Sequence, residues 1–471
     1  MSTDRPNILL ITADDMNWDA VGAFGCPVAG TTPNLDRLAA EGMRFQHAHV
    51  TIAVCQPSRS AMMTGRYPHR SGGEGFYHLR EPGVPILPEL LRAAGHAVGI
   101  LGKVSHSTPY AGFQWDMMYD MNDLGHGRNP ALYRDYAADF IAGAKTARRP
   151  FFLMANSHDP HRPFYGNDKQ EWYEAGEVPA AVPPSRAFIP DEVTTPGFLA
   201  DLPEVRLEIS EYYSSVRRCD DTVGALLEVL RDSGLERNTL VIFLSDNGMA
   251  FPFAKTNCYL QSTRTPWIAR WPEVVDPGTC DTTHFISGID ILPTVLEATG
   301  IEPPDGIDGS SFLPLLRGER QAGREYVFTQ FHQNAGRWNY PMRCVQDARF
   351  GYIFNPWSNG ERIFRNESQA GRTMAAMQAA AEGNADLAAR VELFLYRVPE
   401  ELYDFEHDPD ALHNLVDDPR HADDLDRLRG ELESWMERHS DPALAAFRQR
   451  QSEQARETYT QSMANTIGGR A

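Results

Sequence analysis

Polar side chains that could hold a metal ion follow two apolar segments of the sequence. Asp14 and Asp15 follow NILLIT after a single alanine, and Asp246 and Asn247 come near the end of TLVIFLSDNG. Taken singly, both stretches are also good turn sequences. Carboxylate and amide oxygens without sulfur or imidazole are ligands that Ca²⁺ and Mg²⁺ prefer and that disfavour zinc. The four residues predict a site for a hard divalent cation if the fold brings the two segments together.

Basic groups follow two further apolar segments. HAVGILGKVSH carries Lys103 and His106 just past its apolar part, and RPFFLMANSHDPH ends with His158, Asp159 and His161. Lysine can bind an anion, and histidine can exchange protons with a reacting group. Together with the carboxylates, these residues indicate a site that holds both a cation and an anionic substrate.

The stretch VCQPSRSAMMTGRYPHR contains Cys55, with no second cysteine nearby to form a disulfide or a zinc site. Pro57 suits a first helical turn and Gly65 suits a helix end, so a helix is predicted to begin near Cys55. The helix N-terminus and Arg59, one turn along, favour an anion there. Residue types alone leave open a buried free cysteine or a thiolate nucleophile, although a thiolate is a poor partner for a hard cation.

The elements that must position these residues form an α/β pattern. Short apolar runs alternate with helical patterns, which predicts a mostly parallel sheet with helices on both faces. The runs are apolar throughout, as expected of strands that are buried on both faces. In an open parallel sheet the ligand site lies beyond the carboxyl ends of the strands. We therefore expect the polar groups that end these runs to gather at one edge.

Length and charge exclude several classes of protein. At 471 residues the chain is too long for one ordinary core, which predicts two domains of unequal size. A net charge of −20 disfavours nucleic acid or an anionic membrane as a partner, but not an anionic substrate in a locally basic pocket. No basic n-region opens the chain, no segment reaches membrane-spanning length, and the six cysteines have no repeated spacing. We expect a cytoplasmic protein.

The stretch Cys-x-Pro-Ser-Arg followed by Thr-Gly-Arg resembles the signature of the sulfatase family. In that family this cysteine is oxidised to formylglycine (3-oxoalanine) by a formylglycine-generating enzyme, and the hydrated aldehyde provides an oxygen nucleophile. PNILLITADD and LSDNG resemble the two metal-binding segments of the family. The resemblance implies that Ca²⁺, or Mg²⁺, is bound by Asp14, Asp15, Asp246, Asn247 and the modified Cys55.

The same resemblance implies a set of basic active-site residues: Arg59, Lys103, His106, His158 and Lys255. Arg59 and the two lysines are expected to hold the sulfonate oxygens, and His158 is expected to protonate the leaving group. His106 or Asp15 is expected to act as the base that allows sulfate to leave. GKVSH has one residue more between Lys103 and His106 than the family's usual Lys-x-His, so the place of His106 depends on a local bulge.

Within the family, the resemblance is strongest to the heparan N-sulfatase (N-sulfoglucosamine sulfohydrolase) branch. It is carried by SHDPHRP, DNGMAFPFAKTNCY, NYPMRCVQDARF and ELYDFEHDPDALHNLVDDPR, although Lys255 stands where that branch has arginine. The implied substrate is N-sulfoglucosamine in mono- or disaccharides derived from heparan. His161, His332 and Arg343 would contact it; His161 could equally be an exposed loop residue, and Arg343 could equally form a structural salt bridge.

The resemblance implies an alkaline-phosphatase-like α/β fold with a large mixed sheet flanked by helices. We expect a catalytic domain over residues 1–335 and a smaller α+β domain with an antiparallel sheet over 336–440. The polar extension 441–471 either packs on a partner subunit of a homo-oligomer or extends freely. Three other functions compete with N-sulfoglucosamine hydrolysis: an aryl or sugar O-sulfatase, a phosphonate monoester or phosphodiester hydrolase, and a non-catalytic binding protein.

Overall fold

The computed structural model describes residues 5–81, 83–167 and 182–470. Its strands are β1 (Asn7–Asp14), β2 (Met43–His49), β3 (Ala97–Leu101), β4 (Met117–Tyr119), β5 (Phe151–Pro160), β6 (Thr239–Ser245), β7 (Trp267–Arg270), β8 (Thr279–Ser287), β9 (Val327–Gln333), β10 (Asn339–Gln346), β11 (Phe350–Phe354) and β12 (Glu400–Asp404).

The α-helices are α1 (Pro33–Ala40), α2 (Cys55–Thr64), α3 (Pro68–Ser71), α4 (Leu87–Ala93), α5 (Val104–Ser107), α6 (Pro130–Thr146), α7 (Pro203–Asp232), α8 (Leu260–Thr263), α9 (Ile291–Thr299), α10 (Leu313–Leu316), α11 (Arg372–Ala381), α12 (Ala385–Tyr396), α13 (Ala422–Arg438), α14 (Leu444–Arg448) and α15 (Glu453–Ile467).

The larger sheet has the strand order β4-β3-β5-β1-β6-β7-β2-β8. Strands β4, β3, β5, β1 and β6 are parallel, whereas β7 is antiparallel to both of its neighbours. Along β1, Leu9 and Ile11 pack into the core layer that contains α6 and α7, and Ile8 and Leu10 pack into the layer that contains α2, α4 and α9. Burial on both faces explains the continuous apolar runs, and the predicted mixed sheet flanked by helices is confirmed.

The smaller sheet is antiparallel, with the order β12-β11-β10-β9. Because β9 pairs with β10, this sheet already begins at Val327, before the domain boundary predicted at residue 335. Helix α13 packs its apolar side, including Leu428 and Trp435, into the same core as Val345 and Tyr352 of the sheet. The amphipathic pattern of α13 thus has its partner within the chain.

The C-terminal extension packs on the chain's own smaller sheet. Tyr459, Met463 and Ile467 of α15 are buried in the core that contains Val345 of β10. The extension therefore does not extend freely, and its contact with a partner subunit stays a prediction. None of the described helices combines the length and apolar character needed to cross a bilayer.

Candidate active site

The carboxyl ends of β1 and β6 bring the two predicted metal-binding segments together. The strands are parallel neighbours, with Ala13 opposite Ser245, so the residues that follow each strand lie side by side. The Asp15 backbone N–H donates to Asp246 Oδ1 at 3.2 Å. One oxygen each of Asp14, Asp15 and Asp246 lies within 4.8 Å of the others. The three carboxylates are completely buried.

These residues fit a hard divalent cation. Asn247 donates through Nδ2 to Asp15 Oδ1 at 2.7 Å, while its buried Oδ1 has no hydrogen-bond partner in the described part of the chain. Burial raises the pKa of Asp15 and of Asp246 to about 7, because neighbouring carboxylates add to the cost of desolvation. A cation would offset that cost and would also give the Asn247 oxygen a partner.

Cys55 opens α2 beside the carboxylates, and Gly65 ends that helix in the left-handed conformation with a φ of 63°, as the sequence predicted. The Cys55 Sγ lies 3.4 Å from Asp14 Oδ1 and 4.0 Å from Asp15 Oδ1. Burial, and then the charge of Asp14, raise the pKa of the thiol well above its usual range. An unmodified Cys55 therefore stays protonated at neutral pH and is a weak nucleophile.

Arg59 contacts the carboxylate cluster and its supports. Its guanidinium is completely buried and donates to Asp246 Oδ2 at 2.8 Å, to Thr12 Oγ1 at 2.7 Å and to Asn156 Oδ1 at 2.6 Å. Asn156 lies on β5 and was not identified from the sequence. These contacts give Arg59 the geometry of a residue that orients Asp246. They occupy most of its N–H donors, which leaves few for the sulfonate group that Arg59 was expected to hold.

Two lysines extend into the cluster from opposite sides. Lys103 Nζ forms an ion pair with Asp14, and Lys255 Nζ lies 2.8 Å from Asp15 Oδ1. Although burial lowers the pKa of each lysine, Asp14 for Lys103 and Asp15 for Lys255 raise it above the ordinary value. Both ammonium groups are therefore charged and can attract an anion at this edge of the sheet.

His106 lies next to the cluster despite the additional residue in GKVSH. Gly102 and Lys103 adopt left-handed conformations, with φ of 69° and 48°, and the short helix α5 follows. This turn accommodates the extra residue. Burial, and then the charge of Lys103, lower the pKa of His106 to about 3, so its imidazole is neutral. Its buried Nδ1 has no hydrogen-bond partner among the described residues.

The two histidines after β5 have different surroundings. His158 is mostly buried, and its Nε2 accepts the backbone N–H of Lys103 at 3.1 Å. The Nδ1 of His161 donates to the Arg162 carbonyl at 2.6 Å, and its Nε2 lies 3.8 Å from Asp15 Oδ2. Burial, and then Lys255, lower the pKa of His161 to about 4. Of the two, His161 presents its ring nitrogen to the cluster, whereas His158 supports the loop that carries Lys103.

His332 and Arg343 lie in the smaller sheet and form other contacts. Arg343 is completely buried and binds the Asp441 carboxylate through Nε at 2.5 Å and Nη2 at 2.9 Å. His332 is also completely buried, with its Nε2 2.6 Å from Gln330 Oε1. Arg343 thus forms the structural salt bridge that the sequence left as the alternative. Because both side chains are completely buried, neither is accessible to a substrate.

Glu367 is a residue of the cluster that sequence reasoning missed. It belongs to the 3₁₀ turn Glu367–Ala370, pairs with Lys255, and lies 4.0 Å from His161 Nε2. The stretch RNESQ has no motif that marks it, since only the packing of this segment against the larger sheet brings the carboxylate to the site.

A cavity of about 300 Å³ adjoins the cluster. Its lining includes Val54 and Thr256, which neighbour Cys55 and Lys255 in the sequence. Glu367 and further residues of the smaller domain complete the lining: Asn334, Ala335, Gly336, Trp338, Arg365 and Asn366. The volume is at the lower end of the range of small-molecule sites. The smaller domain thus forms one wall of the cavity beside the nucleophile candidate.

Two family models match the chain. The Sulfatase model matches residues 6–301, and a model described as N-sulphoglucosamine sulphohydrolase, C-terminal, matches residues 249–358. The chain is 31% identical to the human N-sulphoglucosamine sulphohydrolase over 477 aligned residues, which cover 94% of this chain and 92% of the relative.

Solved structures agree in fold. The structure of BT4656 in complex with its substrate D-glucosamine-2-N,6-O-disulfate superposes with a TM-score of 0.69 at 19% identity, covering 93% of this chain and 99% of that one. The phosphonate monoester hydrolase of Agrobacterium radiobacter gives a TM-score of 0.66 at 20% identity, covering 92% and 96%. At this identity the likeness shows the alkaline-phosphatase-like fold alone.

The fold, the strand-end cluster and the match over residues 6–301 define a hydrolase of sulfate esters or sulfamates. The chain belongs to the sulfatase family. Its C-terminal part is similar to that of the N-sulphoglucosamine sulphohydrolases.

Proposed function

We propose that the protein releases sulfate from N-sulfoglucosamine, using a formylglycine made from Cys55 and a Ca²⁺ ion held by Asp14, Asp15, Asp246 and Asn247. One observation carries the proposal: a buried cysteine lies 3.4 Å from the Asp14 carboxylate, next to a cluster in which the Asn247 Oδ1 has no hydrogen-bond partner among the described residues. The thiol there is protonated and weakly nucleophilic, whereas an oxygen nucleophile would suit the hard cation that the cluster fits.

The modified residue and the cation would together supply an activated oxygen nucleophile for attack on sulfur. The residues of the chain bind and orient the substrate around it. Lys103 and Lys255 attract the sulfonate oxygens, whose charge redistributes during the reaction. Arg59 holds Asp246 in position through its Nε. With a cation bound to the carboxylates, Lys103 and Lys255 would neutralise less of the carboxylate charge and would be available to the sulfonate oxygens.

Proton transfer to the leaving nitrogen is best supported for His161. Its Nδ1 is fixed on the Arg162 carbonyl, so the neutral ring presents Nε2 as a free acceptor toward Asp15 and Glu367. A group of this kind can take a proton and return it to the leaving nitrogen. The Nε2 of His158, the donor expected from the sequence, is already bound to the Lys103 N–H.

The choice of N-sulfoglucosamine rests on the similarity to the human N-sulphoglucosamine sulphohydrolase and on the C-terminal family model. That model spans residues 249–358, which include Lys255 and part of the cavity wall. Residues that line the cavity decide which leaving group fits, whereas the lysines interact only with the sulfonate group.

The test begins with the protein co-expressed with a formylglycine-generating enzyme and loaded with Ca²⁺. Mass spectrometry of the peptide that carries position 55 should show the aldehyde. Sulfate release is then measured from N-sulfoglucosamine, glucosamine 6-sulfate and an aryl sulfate at equal concentration, with an aryl phosphonate monoester as a fourth substrate. We expect a clear preference for N-sulfoglucosamine. Preference for an O-sulfate or for the phosphonate would overturn the substrate, and full activity with an unmodified thiol would overturn the nucleophile.

A further inference from the structure

Three exposed arginines surround Trp338 beside the cavity: Arg337, Arg365 and Arg470. We call these three the arginine rim. In the described part of the chain, no carboxylate lies within ion-pairing distance of any of their guanidinium groups, although many other arginines of this protein form ion pairs. The chain carries a net charge of −20, so a cluster of unpaired cations departs from its general charge. Such a cluster attracts anions to its surroundings.

The indole of Trp338 holds two members of the rim in place. The Arg365 guanidinium carbon lies 4.9 Å from the ring centroid, and that of Arg470 lies 5.3 Å from it. Backbone hydrogen bonds fix Arg470 there, since its N–H donates to the Arg337 carbonyl at 2.7 Å and its carbonyl accepts the Asn339 N–H at 2.9 Å. Contact with an aromatic ring leaves the guanidinium charge and its donors available to a ligand.

The cavity connects the rim to the nucleophile candidate. Trp338 and Arg365 line it together with Val54, which precedes Cys55, and Thr256, which follows Lys255. A substrate with its sulfonate at Cys55 would therefore extend its leaving group along the cavity toward the indole and Arg365. The half-buried indole provides an apolar surface for the carbon face of a sugar ring.

We propose that the arginine rim binds a second anionic group, a sulfate or a carboxylate, on the leaving group of the substrate. The inference rests on the proposed function and narrows its substrate class from N-sulfoglucosamine to N-sulfoglucosamine units that carry further negative charge. Lys103 and Lys255 are assigned to the sulfonate group at Cys55, and Arg59 is bound to Asp246, so a second anion needs other cations. A guanidinium matches both oxyanions, since its parallel N–H donors bind two oxygens at once.

The test compares kcat/KM for three substrates: N-sulfoglucosamine, its 6-sulfate, and a disaccharide in which N-sulfoglucosamine is linked to a uronic acid. If the arginine rim binds a second anion, kcat/KM should be about tenfold higher for at least one of the two doubly charged substrates than for N-sulfoglucosamine. The 6-sulfate tests a sulfate as the second anion, and the disaccharide tests a carboxylate. Arg365→Gln should reduce that preference at least about fivefold, mainly through KM, and Arg470→Gln should reduce it less. Arg134→Gln, an exposed arginine of α6 paired with Asp135, is the matched control and should leave the preference unchanged.

A binding measurement makes the result independent of turnover. Calorimetry with glucosamine 6-sulfate should show weaker binding to Arg365→Gln than to the unaltered protein. Binding to the unaltered protein should also weaken when the salt concentration is raised. If N-sulfoglucosamine is hydrolysed but Arg365→Gln changes neither the preference nor the binding, the rim has no such role and the proposed function stands. If no sulfated sugar is hydrolysed while the Arg365-dependent binding persists, the proposed function fails and the anion site remains.

Discussion

Two buried ionic clusters of the protein differ in how completely their charges are satisfied. In the smaller domain, Asp441 receives two hydrogen bonds from Arg343 and one from the Ala443 backbone, and Arg343 also donates to Tyr459. At the end of β1, several carboxylates share three cations, and the Asn247 oxygen has no partner in the described chain. One cluster is complete, and the other has room for a ligand.

The pKa shifts of Asp15 and Asp246 differ in direction from that of Asp441, whereas at Asp14 burial is outweighed by the neighbouring cations, Lys103 first, which hold the pKa well below its usual range. Burial would raise the pKa of Asp441, but Arg343 outweighs it, so the pKa lies below the ordinary value. For Asp15 and Asp246, burial prevails over Lys255 and Arg59, and the pKa rises to about 7. A buried charge that costs stability marks a functional site more often than a structural one, although ion-pair networks also shift pKa values.

The sharpest contrast concerns Cys55. Cys55→Ala should lower kcat/KM at least about a thousandfold, because removal of a nucleophile eliminates the chemical step. The thermal midpoint should change little, since within the described ranges the Cys55 thiol has only the long contacts to Asp14 and Asp15 as hydrogen-bond partners. Sulfate release and calorimetry measure the two effects. Cys280→Ser, at an exposed cysteine, is the control and should change neither the activity nor the thermal midpoint. If Cys55→Ala kept its activity, Cys55 would not be the nucleophile.

The two clusters should respond in opposite ways to loss of one carboxylate. Asp441→Ala leaves Arg343 buried without its partner and should lower the free energy of unfolding by about 3–5 kcal/mol. Asp246→Asn removes a costly charge, keeps an oxygen that can accept from Arg59, and leaves the Asp14 carboxylate 4.0 Å from that guanidinium, so it should largely keep the stability of the metal-free protein. It should lower calcium affinity and kcat/KM on the order of a hundredfold. Denaturant unfolding and calcium titration provide the comparison, and equal stability losses would contradict it.

Asp15 and Asp246 should also respond to pH in the opposite way to Asp441. The folded-state pKa of Asp15 and Asp246 exceeds the unfolded value, so their stability contribution is complete below about 4 and is lost as pH rises toward 7. The depressed pKa of Asp441 gives a contribution that is present above about 4 and is lost as pH falls further. In scanning calorimetry, added Ca²⁺ should raise the thermal midpoint of the chelated protein more at pH 7 than at pH 5. Asp246→Asn should weaken that dependence.

A smaller effect separates the two histidines. His161→Asn should lower kcat about tenfold with little change in KM, since proton transfer contributes to the chemical step. His158→Asn should act mainly through the Lys103 loop, which its Nε2 supports, and should therefore raise KM. Steady-state kinetics with N-sulfoglucosamine distinguishes the two. If His158→Asn lowered kcat and His161→Asn raised KM instead, His158 would be the proton donor.

The sequence by itself indicated where four strands of the larger sheet end, namely β1, β3, β5 and β6, and that a helix begins near Cys55. These features depend on local signals, namely continuous apolar runs, Pro57 near a helix start and Gly65 at its end. Asp14 and Asp246 could be paired from the sequence because parallel neighbours end at one edge of a sheet, whatever lies between them.

The tertiary structure alone decided which side chains join that edge from elsewhere. Glu367, Asn156 and the arginine rim have no motif, and the structural role of Arg343 depends on Asp441, which lies 98 positions away in the chain. The orientations of His158 and His161 follow from the partner that each ring nitrogen finds. Apart from the His161 contact with the adjacent Arg162, these contacts join segments that are far apart in the chain, so the tertiary fold sets them and no periodic pattern in the sequence marks them.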